Sequence, residues 1–135
     1  MNTITVKAQV DNLEKVLSFI DSELENMDCS MKTQMQIDVA VEEIFVNIAN
    51  YAYEGKEGDA TISIEKDASE NSARISFTDK GIPYNPLEKE DPDITLSAAE
   101  RQIGGLGIFM VKKTMDRVDY EYKNNENRLT LVKKI

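Results

Sequence analysis

Apolar residues recur along this chain with two different periods. Ile4, Val6, Ala8 and Val10 alternate with polar neighbours, the period of a half-buried strand, and predict a first strand ending near Val10. Leu13, Val16, Leu17, Ile20 and Leu24 then follow at helical spacing, with Asp11 and Glu14 read as a capping box at the start. Ser30 is placed to cap a second helix running to about Tyr53, where Gly55 and Gly58 break the pattern. Alternation returns at Ile62 and Ile64 and again at Ile75 and Phe77, joined by a polar turn from Asp67 to Asn71, as in a hairpin.

Residues 79–103 hold all three prolines and many charges with little periodicity, which predicts a long functional loop within one domain spanning 1–135. From Leu106 to about Asp116, Ile108, Val111 and Met115 mark a short helix. Val118, Tyr120 and Tyr122, then Leu129 and Leu131, bracket a polar turn at 124–127 and predict a closing hairpin. Helices grouped against a mostly antiparallel sheet make an α+β fold, a two-layer sandwich with the helices on one face.

Composition narrows the chemistry. Twenty-five acidic and sixteen basic residues give a net charge of −9, which argues against a nucleic-acid partner and for proteins or small molecules. No apolar run approaches the roughly 20 residues that span a bilayer, and the N-terminus lacks a basic start and an apolar stretch, so the expected location is cytoplasmic, with no membrane role. The single cysteine, Cys29, forms no internal disulfide and reads as a minor thiol near a helix start. The absence of histidine removes Ser-His-Asp catalysis, histidine-ligated zinc and phosphohistidine chemistry. Carboxylates, amides, lysines and bound magnesium remain.

On the second helix, Ile37, Val41, Ile44 and Ile48 form the face that packs on the core. Glu43 and Asn47 lie one turn apart at the margin of that face with Asn50 beside them, whereas Asp38 and Glu42 read as an exposed face. The pair is either a polar edge satisfied by water and backbone, or a site. A side-chain amide suits Mg²⁺, and a carboxylate one turn away can act as general base toward a hydroxyl or water near a γ-phosphate.

The stretch Arg101, Gln102, Ile103, Gly104, Gly105, Leu106, Gly107 opens into a helix, so its backbone N–H groups can converge on phosphate oxygens. The alternative is a turn that merely starts the helix. It fits neither a Walker A loop nor a Rossmann fingerprint. Asp79 shares the parity of Ile75 and Phe77 and should face the core side of the sheet. There it either receives a donor such as the adenine amine or forms an Asx turn with Gly81.

Taken together, these segments resemble the GHKL superfamily and, within it, the anti-sigma-factor serine/threonine kinases. VEEIFVNIANYAY is similar to that family's N box, FTDKGIPYNP to its adenine loop, and ERQIGGLGIFMVKKTMD to its second glycine box, in the same order across nearly the whole chain. The resemblance implies ATP and Mg²⁺ as ligands, with Glu43 as catalytic base, Asn47 as magnesium ligand, Asp79 and Gly81 at adenine, and Gly104, Gly105, Leu106 and Gly107 around the phosphates. Arg101 matches an arginine that helps hold phosphates, and Thr130 a hydroxyl residue near adenine. Asn50 and Tyr51 rank behind these as pocket residues, Tyr51 standing where relatives often carry histidine.

The implied activity is phosphorylation of a serine or threonine on an anti-sigma-factor antagonist, with a sigma factor as second partner, homodimers, and a flexible lid at 84–103. The competing readings are an ATP-dependent protein-binding switch without phosphoryl transfer, and a weak ATPase.

Overall fold

The computed structural model describes residues 1–88 and 106–135. The strands are β1 (Asn2–Lys7), β2 (Asp59–Asp67), β3 (Ser72–Asp79), β4 (Arg117–Lys123) and β5 (Glu126–Lys134), and the helices are α1 (Leu13–Asn26), α2 (Met31–Tyr51) and α3 (Leu106–Thr114). All strand pairs are antiparallel, in the order β1-β2-β3-β5-β4. This is the expected α+β architecture.

Strand alternation decides which face of the sheet is covered. Val6, Ile62, Ile64, Ile75, Phe77, Leu129 and Leu131 turn to one side and are buried, meeting Val16, Ile20 and Leu24 of α1, Ile37, Val41, Ile44 and Phe45 of α2, and Ile108 and Val111 of α3. The other side carries hydroxyls that pair across strands, Thr3 with Ser63 at 3.2 Å and Thr5 with Thr61 at 3.0 Å, so it tolerates water without a second layer.

Several expected boundaries move. β1 ends at Lys7, and Val10, expected to face the core, is 49% exposed in a 3-10 turn at Val10–Asn12. The Asp11–Glu14 capping box does not form. α1 begins at Leu13 after Asn12, whose side chain instead donates to Lys7 O at 2.9 Å. Ser30 does cap α2, its hydroxyl accepting from Thr33 N at 3.2 Å, but the helix stops at Tyr51.

Asp38 is not on an exposed face. It is half-buried, its Oδ1 and that of Asp21 on α1 are buried without a donor among the described residues, and burial and then the Asp21 carboxyl push its pKa up to about 8. The last hairpin turns on Asn124 and Asn125 alone, both with positive φ (56° and 62°), which leaves Asn127 inside β5 and not in the turn.

Candidate functional site

The C-terminal half of α2, the end of β3 and the start of β5 enclose one pocket. Its walls are Ile44, Ile48, Phe77, Ile82 and Leu129, and its polar groups come from Asn47, Tyr51, Asp79, Tyr84, Tyr120 and Asn127. An apolar slot with a few convergent polar groups is the usual form of a small-molecule site.

Asp79 lies at the end of β3 on the helix-covered face and is 5% exposed. Its Oδ1 accepts from Gly81 N at 2.9 Å and from Asn127 Nδ2 at 2.9 Å. Burial raises the Asp79 pKa, and the hydrogen bonds from Asn127 and Gly81 oppose that rise. Among the described residues Oδ2 takes part in no hydrogen bond, so one oxygen is held by the protein and the other is left for a donor. The Asx turn and the ligand-facing carboxylate, open alternatives in the sequence, are therefore compatible in the same residue.

Gly81 is required by close approach. A Cβ there would overlap the carbonyl of Ala52 just past α2, the same oxygen that accepts from Ile82 N at 2.8 Å. Tyr53 makes a second tie, donating to Asp59 O at 2.5 Å and accepting from Lys80 N at 2.9 Å. The turn after β3 is thus fastened to the end of α2.

Asn47 is half-buried and lines the pocket, and Glu43 lies one turn earlier on α2, also half-buried. The Glu43 carboxylate abuts Gly107 in the first turn of α3, where any Cβ would overlap it. The Glu43 carboxylate thus stands one turn from the pocket-lining amide of Asn47 and against the positive end of a helix. Tyr51 lines the mouth, its ring centroid 6.2 Å from that of Tyr84.

Two expected residues fall elsewhere. Thr130 alternates with the buried Leu129 and Leu131, so it points away from the helices and lies 3.3 Å from Ser76 Oγ on the open face. Asn50 is exposed and outside the pocket lining. Arg101, Gly104, Gly105 and the rest of 89–105, which include most of the expected lid, lie outside the described residues. Leu106 opens α3.

The position facing Asp79 across the β3–β5 ladder is Asn127. Its parity with Leu129 and Leu131 is legible in the sequence, but the polar run 124–127 reads as a turn, whereas the turn is only Asn124 and Asn125.

The family model of the histidine kinase-like ATPase domain matches residues 6–133. The chain belongs to that family. Similar curated proteins include the anti-sigma F factor of Clostridium beijerinckii, 24% identical over 98 residues covering 73% of this chain and 68% of that protein. The serine-protein kinase RsbW of Listeria monocytogenes is 28% identical over 90 residues, covering 64% and 57% respectively. RsbW of Bacillus pumilus is also 28% identical, over 63% of this chain and 56% of its own. The chain therefore spans little more than half the length of the RsbW relatives.

A solved structure of the RsbU and RsbW domains of a Mycobacterium tuberculosis protein superposes with a TM-score of 0.64 at 13% identity. The match covers 99% of this chain and 32% of the other, and it establishes the shared fold. In this histidine kinase-like ATPase domain, no helix among the described residues is long and apolar enough to cross a membrane.

Proposed function

We propose that this domain binds Mg-ATP and transfers the γ-phosphoryl group to a serine or threonine of a protein antagonist, as an anti-sigma kinase whose second partner is a sigma factor. The observation that carries the reading is that Asp79 of β3 and Asn47 of α2 line one pocket while Glu43 stands one helical turn from Asn47. Asp79 offers one carboxylate oxygen to the pocket and Asn47 an amide, and the Glu43 carboxylate lies one turn earlier on α2, beside the first turn of α3.

Adenine enters the apolar slot between Ile48, Ile82 and Leu129, with its exocyclic amine donating to Asp79. The triphosphate then runs along α2 toward the N-terminus of α3, whose dipole favours anions. Asn47 is the residue that would hold magnesium, a neutral oxygen donor of the kind that ion accepts alongside water and phosphate oxygens. Bound there, the ion would neutralise charge on the phosphates.

Glu43 takes the proton of the partner's hydroxyl as its oxygen bonds to the γ-phosphorus. The bond from that phosphorus to the β–γ bridging oxygen breaks, and ADP leaves with the electron pair. Such a base has no role in a module that only binds ATP.

The test is incubation with γ-labelled ATP, magnesium and a small antagonist protein of the relatives' type. Label on a serine or threonine of the antagonist, lost in Glu43→Ala while nucleotide binding persists, is the expected result. Free labelled phosphate without phosphoprotein would make the domain an ATPase. Binding without turnover in the wild type would make it a nucleotide-dependent switch.

A further inference from the structure

Asn127 is 6% exposed, and every polar position on its side chain is used. Its Nδ2 donates to Asp79 Oδ1 at 2.9 Å and to Ile82 O at 2.8 Å, with Gly81 O at 3.5 Å. Its Oδ1 accepts from Tyr84 N at 3.1 Å and from the Tyr120 hydroxyl. An amide so fully engaged has no donor or acceptor left for a ligand, so any influence on binding runs through the groups it holds.

We propose that Asn127 is the positioning residue for base selectivity in this pocket: its amide pins Asp79 Oδ1, so that Oδ2 alone faces the ligand as an acceptor for the 6-amino group of adenine. The inference rests on the ATP-site reading above.

Three features carry it. A carboxylate is symmetric, and with Gly81 N as its only partner Asp79 could rotate to present either oxygen at several angles. A second donor on the same oxygen removes that freedom. Next, the fixed Oδ2 is an acceptor only. It matches an amino group and repels the 6-oxo group of guanine, whose lone pairs would face it. Finally, the same amide holds the 82–84 segment through Ile82 O and Tyr84 N, so the pocket wall bearing Ile82 and Tyr84 is set by the residue that aims the carboxylate.

The experiment compares dissociation constants of ATP, GTP and purine riboside triphosphate, which lacks the 6-amino group, for the wild type and Asn127→Leu. The wild type should prefer ATP over the 6-unsubstituted analogue by about tenfold or more, the range of a hydrogen bond to a charged group. In Asn127→Leu that preference should shrink to about twofold or less, with ATP losing most. Equal weakening of all three nucleotides would assign Asn127 a purely structural role and overturn the proposal.

If the wild type binds no nucleotide, the ATP-site reading falls and the inference with it. If the wild type prefers ATP and the variant keeps the same ratio, only the inference falls. Should Asn127→Leu not fold, the wild type supplies a second readout in the side-chain amide resonances of Asn127. These should shift with ATP and much less with purine riboside triphosphate, and equal shifts would overturn the proposal.

Discussion

The Asn127 amide donates to Asp79 Oδ1 at 2.9 Å across the β3–β5 ladder, joining two buried polar side chains 48 residues apart in sequence. An unpartnered carboxylate at 5% exposure would be costly, and these bonds let Asp79 remain there. Asp79→Asn should therefore keep the fold while losing about tenfold to a hundredfold in ATP affinity, because the acceptor for the base amine is lost. Calorimetric titration checks this, and unchanged affinity would remove Asp79 from the site.

Two glycines predict opposite outcomes for the same substitution. At Gly81 a Cβ meets the Ala52 backbone, which cannot swing aside, so Gly81→Ala should lower stability by about 1–3 kcal/mol. At Gly107 the obstacle is the end of the Glu43 side chain, which can move, and alanine favours a helix by up to about 1 kcal/mol over glycine. Gly107→Ala should thus leave the melting temperature nearly unchanged while reducing phosphoryl transfer through the displaced carboxylate. Thermal melts beside transfer assays separate the two.

Glu43→Gln keeps the size of the side chain and removes the base. Transfer should fall by about 10²- to 10⁴-fold with nucleotide affinity within a few-fold of wild type. Near-normal transfer in single-turnover kinetics would show that the base lies elsewhere.

Asn47→Ala should weaken nucleotide binding in magnesium far more than in EDTA, since the amide is read as a ligand of the ion and not of the base. A loss of equal size in both conditions would count against that assignment.

The Asp21–Asp38 contact predicts a pH effect on stability. The Asp38 pKa is pushed up to about 8, first by burial and then by the Asp21 carboxyl, so between the ordinary carboxylate range and about pH 8 the folded state holds a proton that the unfolded state has released. Stability should fall as pH rises through that window. The nearby Cys29 thiol, itself pushed up by burial and by Asp38, would add to the trend at higher pH. Asp38→Asn supplies a donor to Asp21 without a titrating charge, and should raise the melting temperature at pH 9 with the advantage shrinking toward pH 5. A variant less stable than wild type at pH 9 would contradict this account.

The amino-acid sequence by itself determined the element order, the covered face of the sheet and the placement of Glu43, Asn47 and Asp79. These follow from local periods of 2 and 3.6, and a side chain's face is set by its own strand or helix. Thr130, expected near adenine from the family resemblance, obeys the same rule against that expectation, since its parity with respect to Leu129 and Leu131 turns it away from the helices.

Only the tertiary structure decided which polar groups meet. The register that puts Asn127 opposite Asp79, the contact of Asp38 with Asp21, and the approach of Gly81 to Ala52 and of Gly107 to Glu43 all join segments distant in sequence. No local pattern encodes such distances. They follow from how the layers pack and where the two-residue turn at Asn124 and Asn125 sets the last hairpin.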